Sequence, residues 1–119
     1  MSGPALQALS SLVKHCDADK EVRKTDLHIG DWLLVTTTNS KYLIRPLQDG
    51  YYSVSGGWFD KNKLSPFRTR ITGCTWGGSA IKLDILAAAG RHLEFGNRVV
   101  TSAIRGFSIF RCWGKNIDN

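Results

Sequence analysis

Between residues 67 and 111 no apolar run has the length or spacing of a helix. Short β-branched and aromatic segments are cut instead by glycine turns at Gly73, Gly77-Gly78, Gly90, Gly96-Asn97 and Gly106. A chain punctuated in this way hides its apolar side chains through many short strands, and such strands close into a barrel or pack as two sheets, since either limits exposed edges. The centre of the stretch is Ile71-Thr72-Gly73-Cys74-Thr75-Trp76-Gly77-Gly78-Ser79.

Within it, alternation from Phe67 to Thr72 places Arg68, Arg70 and Thr72 on one face and Phe67, Thr69 and Ile71 on the other. Two arginines side by side are costly inside a core, so their face is expected to meet solvent or an anion. Gly73 predicts a bulge or a close backbone approach. Ile81, Leu83 and Ile85 read as one half-buried strand, residues 87–90 as a strand end and turn, and residues 91–95 as a strand burying Leu93 and Phe95. Two further strands are expected over 98–102 and 107–111.

The first half supplies a meander. Residues 31–38 are rich in β-branched and aromatic side chains, Asn39-Ser40 turns, and residues 42–45 return as far as Pro46. Asp49-Gly50 favours positive φ and predicts another turn before a third strand over 51–55. Residues 58–66 form a long loop in which Trp58 and Phe59 fold back to plug the barrel while Lys61 and Lys63 stay wet. At the start of the chain, Ala5, Leu6, Ala8, Leu9, Leu12 and Val13 recur at helical spacing. This predicts an amphipathic helix over 4–16 that covers one end or side of the barrel.

The expected fold is therefore mainly β: a small antiparallel SH3-like or related barrel of seven to eight short strands with one N-terminal α-helix. At 119 residues it is a single domain. Residues 1–27 are helix and connector, 28–113 the barrel, and 114–119 a mobile tail. The three cysteines, Cys16, Cys74 and Cys112, have neither a disulfide framework nor metal-ligand spacing. The start of the chain lacks the pattern of a secretory leader, and no stretch approaches the about 18 apolar residues of a spanning helix. A reduced, cytoplasmic protein without membrane, metal or cofactor is expected.

Catalytic constellations are not signalled. His15, His28 and His92 are far apart, Cys74 and Cys112 sit in apolar strands, and Asp84 and Glu94 are the only carboxylates between residues 67 and 113. The charge pattern is more informative. The net charge is +6, and residues 67–119 hold eight of the 16 basic side chains but only three of the 10 acidic ones. That bias suits an anionic partner or simple solubility. Candidate ligand-binding residues are Trp58, Arg68, Arg70, Trp76, Gly77, Gly78, Ser79, Lys82, Arg91, Arg98 and Arg105. The Gly77-Gly78-Ser79 turn can present backbone N–H groups to an anion, although no Gly-Lys-Ser/Thr follows it.

Two functions fit. The first is a non-enzymatic interaction module that docks a protein partner or a second copy of itself. The second is a nucleic-acid-binding barrel in which the basic residues flank Trp58 or Trp76. Dispersal of the arginines along several strands favours the first. Convergence of four or more of Arg68, Arg70, Lys82, Arg91, Arg98 and Arg105 beside an exposed tryptophan would favour the second.

Overall fold

The computed structural model describes residues 12–16, 21–75 and 81–112. In chain order the strands are β1 Leu12–Cys16, β2 Glu21–Arg23, β3 Trp32–Thr37, β4 Lys41–Pro46 and β5 Tyr52–Gly56. They continue as β6 Phe67–Thr69, β7 Ile71–Thr75, β8 Ile81–Lys82, β9 Ile85–Ala88, β10 His92–Phe95 and β11 Ile104–Cys112, and among the described residues one short α-helix, α1 Gly57–Lys61, follows β5. The protein is mainly β, and every strand pairing is antiparallel.

Among the described residues the strands form three sheets rather than one closed barrel. A six-stranded sheet runs β1-β11-β3-β4-β5-β6, a three-stranded sheet β10-β7-β8, and a two-stranded sheet β2-β9. The physical break comes at Arg70. There the chain leaves β6, the Arg70 carbonyl accepts the Gly96 N–H at 2.6 Å, and β7 begins a ladder with β10 instead of extending the larger sheet. Among the described residues β1 and β6 therefore remain as edges.

Binary alternation builds the meander as the sequence predicts. Leu33 and Val35 of β3, Tyr42 and Ile44 of β4, and Tyr52 and Val54 of β5 are buried, while the residues between them face outward or are half-buried. The β4–β5 turn places Asp49 at φ 62°. Phe59 of α1 plugs the core: it is fully buried, with ring centroids 5.0 Å from Phe95, 5.4 Å from Phe67 and 6.3 Å from Tyr42. The Tyr42 and Phe95 pairs are edge-to-face and the Phe67 pair is stacked, and such pairs add about 1 kcal/mol each beyond area burial. Trp58 stays half out, its backbone N–H donating to Tyr42 Oη at 3.3 Å.

Several expectations are corrected. Residues 12–16 are a strand, not the end of a helix, and pair in continuous register with β11 from Leu12↔Cys112 to Cys16↔Ser108. Ladder bonds to a long strand outweigh helix propensity, which is a weak prior. Residues 4–11 lie outside the described residues. The single strand expected through Ile81, Leu83 and Ile85 is two short strands in different sheets, β8 paired with β7 and β9 with β2, joined by a turn at which Leu83 is 60% exposed. Ile85, Leu86, Ala87 and Ala88 are all buried because β9 is covered on both faces, which erases alternation. Residues 98–102 form no strand; only Val100 bridges, to Glu94. The 58–66 loop contains α1.

Gly73 behaves as its position predicts. Glu94 pairs with Gly73 but Phe95 with Ile71, leaving Thr72 as the extra residue of a bulge. At Gly73, φ is +148°, and a Cβ there would overlap the Lys82 carbonyl oxygen and sit 2.9 Å from Leu83 Cα. Only glycine lets β7 and β8 approach so closely. No helix among the described residues is long and apolar enough to cross a membrane.

Candidate ligand-binding face

The inward face of the six-stranded sheet is core; its outward face carries the candidate site. Register fixes which side chains stand together there. Leu33 pairs with Ile44, so Trp32 stands across from Arg45; Arg45 pairs with Ser53, and Ser53 with Arg68. Trp32, Arg45, Ser53 and Arg68 thus form one row across four adjacent strands. At about 4.8 Å per strand the row is about 14 Å long.

Tyr51 shares the outward parity of Ser53 and lies next to this row. Its ring takes two guanidinium groups, with Arg68 Cζ 3.6 Å and Arg70 Cζ 4.3 Å from the centroid. Arg45 Cζ lies 6.0 Å from the Trp32 ring, at the outer limit of such contact. The backbone before Tyr51 is kept slim by Gly50, where a Cβ would come 3.1 Å from Arg70 Nη1. Lys24 is near as well. Burial pulls its pKa below the usual lysine range; Asp84 opposes that pull and the positive charge of Arg70 adds to it.

These arginines have no carboxylate partner among the described residues. The ion pairs run elsewhere: Glu21 with Arg23 and Arg91, and Asp31 with His28 and Arg111. A guanidinium resting on a ring is restricted in its rotamers yet keeps its N–H donors for a ligand. Tyr51 therefore holds two cations in place, and the Trp32–Arg45 pair extends the basic, aromatic surface toward β3. Toward β11 the face closes, since Ser108 is buried and Phe110 half-buried.

Of the residues singled out from sequence, Arg68 and Arg70 come together on Tyr51. Arg98 stands on the turn whose Gly96 N–H binds the Arg70 carbonyl, so its backbone is a neighbour of the cluster. Arg91 is turned inward instead: its side chain is 11% exposed, with Nη1 3.7 Å from Glu21 Oε1. Lys82 lies on β8, paired with Cys74 in the smaller sheet, and Arg105 lies in the β11 bulge opposite Thr36 and Thr37, at the far end of β3 from Trp32. Trp58 sits at the other end of β4 from Arg45. Trp76, Gly77, Gly78 and Ser79 lie outside the described residues. Among the described residues the count of four basic side chains from the sequence set beside a tryptophan is not reached, which by that criterion sustains the protein-docking reading; the case for an anionic ligand rests instead on Arg45, Trp32 and Tyr51, which lie outside that set.

Trp32, Arg45, Tyr51 and Lys24 were missed by sequence reasoning. For Trp32 and Arg45 a signal existed: a tight turn at 38–40 fixes the hairpin register and sets the two opposite each other on the outward face.

Other reactive groups are committed to structure. Cys74 is 1% exposed, and burial pushes its thiol up to about 12, against the weaker pull of Arg91. The His92 ring donates through Nδ1 to the Thr101 carbonyl at 2.9 Å. No group of three or more His, Cys, Asp or Glu side chains among the described residues is placed to hold a metal ion. Comparison with known proteins finds no matching family model, no similar curated protein and no similar solved structure.

Proposed function

We propose that this protein is a non-enzymatic binding module that takes an extended polyanion across the outward face of its six-stranded sheet. The observation that carries this reading is the pair of guanidinium groups resting on Tyr51 with no carboxylate partner among the described residues, in line with Arg45 beside Trp32. Two like charges held against one ring repel each other, by up to about 1 kcal/mol in water even at about 4 Å. An arriving anion turns that repulsion into attraction, and the ring has already restricted the arginine rotamers. The neighbouring Lys24 adds to the same field.

The test is binding of heparin and of oligonucleotides across a salt series, with wild type and an Arg68→Ala/Arg70→Ala variant. Each phosphate neutralised on a flexible strand contributes a slope of about −0.7 in log affinity against log salt. Arg45, Arg68 and Arg70 together give a slope of about −2, equal to about a twentyfold loss of affinity between 50 and 200 mM salt. The double variant is expected to bind more weakly and to lose two-thirds of that slope. Salt-independent binding, or a double variant that binds as wild type does, would refute the reading.

A further inference from the structure

We infer that the polyanion is a single-stranded nucleic acid, with Trp32 as the surface on which a base stacks. This rests on the polyanion reading of the same face. The two aromatic residues of the face differ in what they leave open. Tyr51 is covered, because Arg68 Cζ lies 3.6 Å and Arg70 Cζ 4.3 Å from its centroid. Trp32 is 36% exposed, and the nearest guanidinium, Arg45, stands 6.0 Å from its ring. Tyr51 positions the phosphate-binding arginines, while Trp32, 36% exposed, offers indole surface to a ligand on the strand next to Arg45.

The shape of the platform excludes a duplex as the preferred form. Its row of functional side chains lies flat across four strands of a sheet about 24 Å wide, whereas the major groove, about 12 Å wide, admits a helix or a two-stranded ribbon. A base enclosed in a duplex cannot stack on a side chain of such a surface. An unpaired base can, with its flanking phosphates toward Arg45 on one side and Arg68 and Arg70 beyond. A purely electrostatic partner such as heparin would use the arginines and gain nothing from the tryptophan.

The experiment compares fluorescein-labelled oligo-dT, oligo-U, a duplex of the same length and heparin, against wild type, Trp32→Ala, Trp32→Phe and Trp58→Ala. Loss of one base stack weakens single-strand binding by about tenfold or more. Trp32→Ala is therefore expected to weaken both single strands by that factor and to leave heparin unchanged. Trp32→Phe is expected to recover most of the affinity, and Trp58→Ala to behave as wild type; thermal melts establish that each variant is folded. Equal binding of duplex and single strand would overturn the inference, as would a Trp32→Ala variant that loses heparin and single strands alike or neither. Heparin binding without a single-strand preference removes this inference alone. Absence of binding to every polyanion at low salt removes the reading beneath it.

Discussion

The approach of β8 to β7 at Gly73 makes a sharp test of the fold. Replacing Gly73 with alanine places a methyl group on the Lys82 carbonyl oxygen, within 2.9 Å of both Leu83 Cα and Lys82 C, at a φ of +148°. Holding a non-glycine residue in such a conformation costs about 1–3 kcal/mol. The contact atoms are backbone, so relief requires β8 to move away, loosening the Cys74↔Lys82 and Thr75↔Ile81 pairs. Two weakened ladder bonds add about 1 kcal/mol each. The sum, about 3–5 kcal/mol, corresponds to a drop in Tm of about 15 °C for a domain of this size.

Two companion substitutions separate the causes. Gly30 has φ +102° but open space around a Cβ, and Gly106 has neither a positive φ nor a neighbour within 4 Å. Gly30→Ala is expected to cost about 1–2 kcal/mol from backbone strain alone, and Gly106→Ala to stay within about 0.5 kcal/mol of wild type. Thermal melts or urea titrations of the three variants measure the series. A Gly73→Ala protein that melts no lower than Gly30→Ala would refute the close approach of the two strands.

Further outcomes follow from other parts of the structure. Tyr51→Phe keeps the ring under both arginines and is expected to bind polyanions as wild type does, while Tyr51→Ala releases both guanidinium groups. At about 0.5–1 kcal/mol for each of the two exposed cation–π contacts, the alanine variant should lose about five- to thirtyfold in affinity by fluorescence titration. The Cys74 thiol, raised by burial from 9.0 to about 12, disfavours its thiolate in the folded state. Its contribution to stability is therefore complete below the free-thiol pKa and is lost as pH rises toward the folded value. Urea midpoints should fall above about pH 9 in wild type and fall less in Cys74→Ala. Arg111 donates from Nη1 to Asp31 Oδ2 at 2.6 Å and from Nη2 to the Asp26 carbonyl at 2.9 Å. Arg111→Ala leaves the buried Asp31 carboxylate without its guanidinium and is expected to cost about 2 kcal/mol, less than for a fully buried pair, by urea denaturation.

The meander was legible because its information is local: alternation sets each strand face, and Asp49-Gly50 sets a turn. Of the two aromatics expected to plug the core, only Phe59 goes in; Trp58, beside it in the same polar run, stays 36% exposed. Features that depend on distant partners were not legible. Residues 12–16 carry an apolar pattern that either a helix or a strand accepts, and only the presence of β11 decides. Arg91 reads as one more surface cation until Glu21, far away in sequence, is brought beside it. The stripe from Trp32 to Arg68 combines three separate hairpin registers, so composition along any single strand does not reveal it. Arg70 looks like the middle of one strand, and its carbonyl's bond to Gly96 is what ends a sheet there.

The position of β11 also bears on how the molecule is made. In the six-stranded sheet β11 lies between β1 and β3, so the most C-terminal described strand separates two of the earliest. During synthesis β3, β4 and β5 can pair as soon as they emerge, being joined by short turns. Leu12–Cys16 has no partner until residues 104–112 have cleared the ribosome, and Glu21–Arg23 waits likewise for Ile85–Ala88. Assembly of this protein is consequently dominated by contacts distant in sequence, which slow folding. β11 docks into a slot whose two walls, β1 and β3, are made long before it, and a chain released before β11 is made leaves both walls open to other molecules.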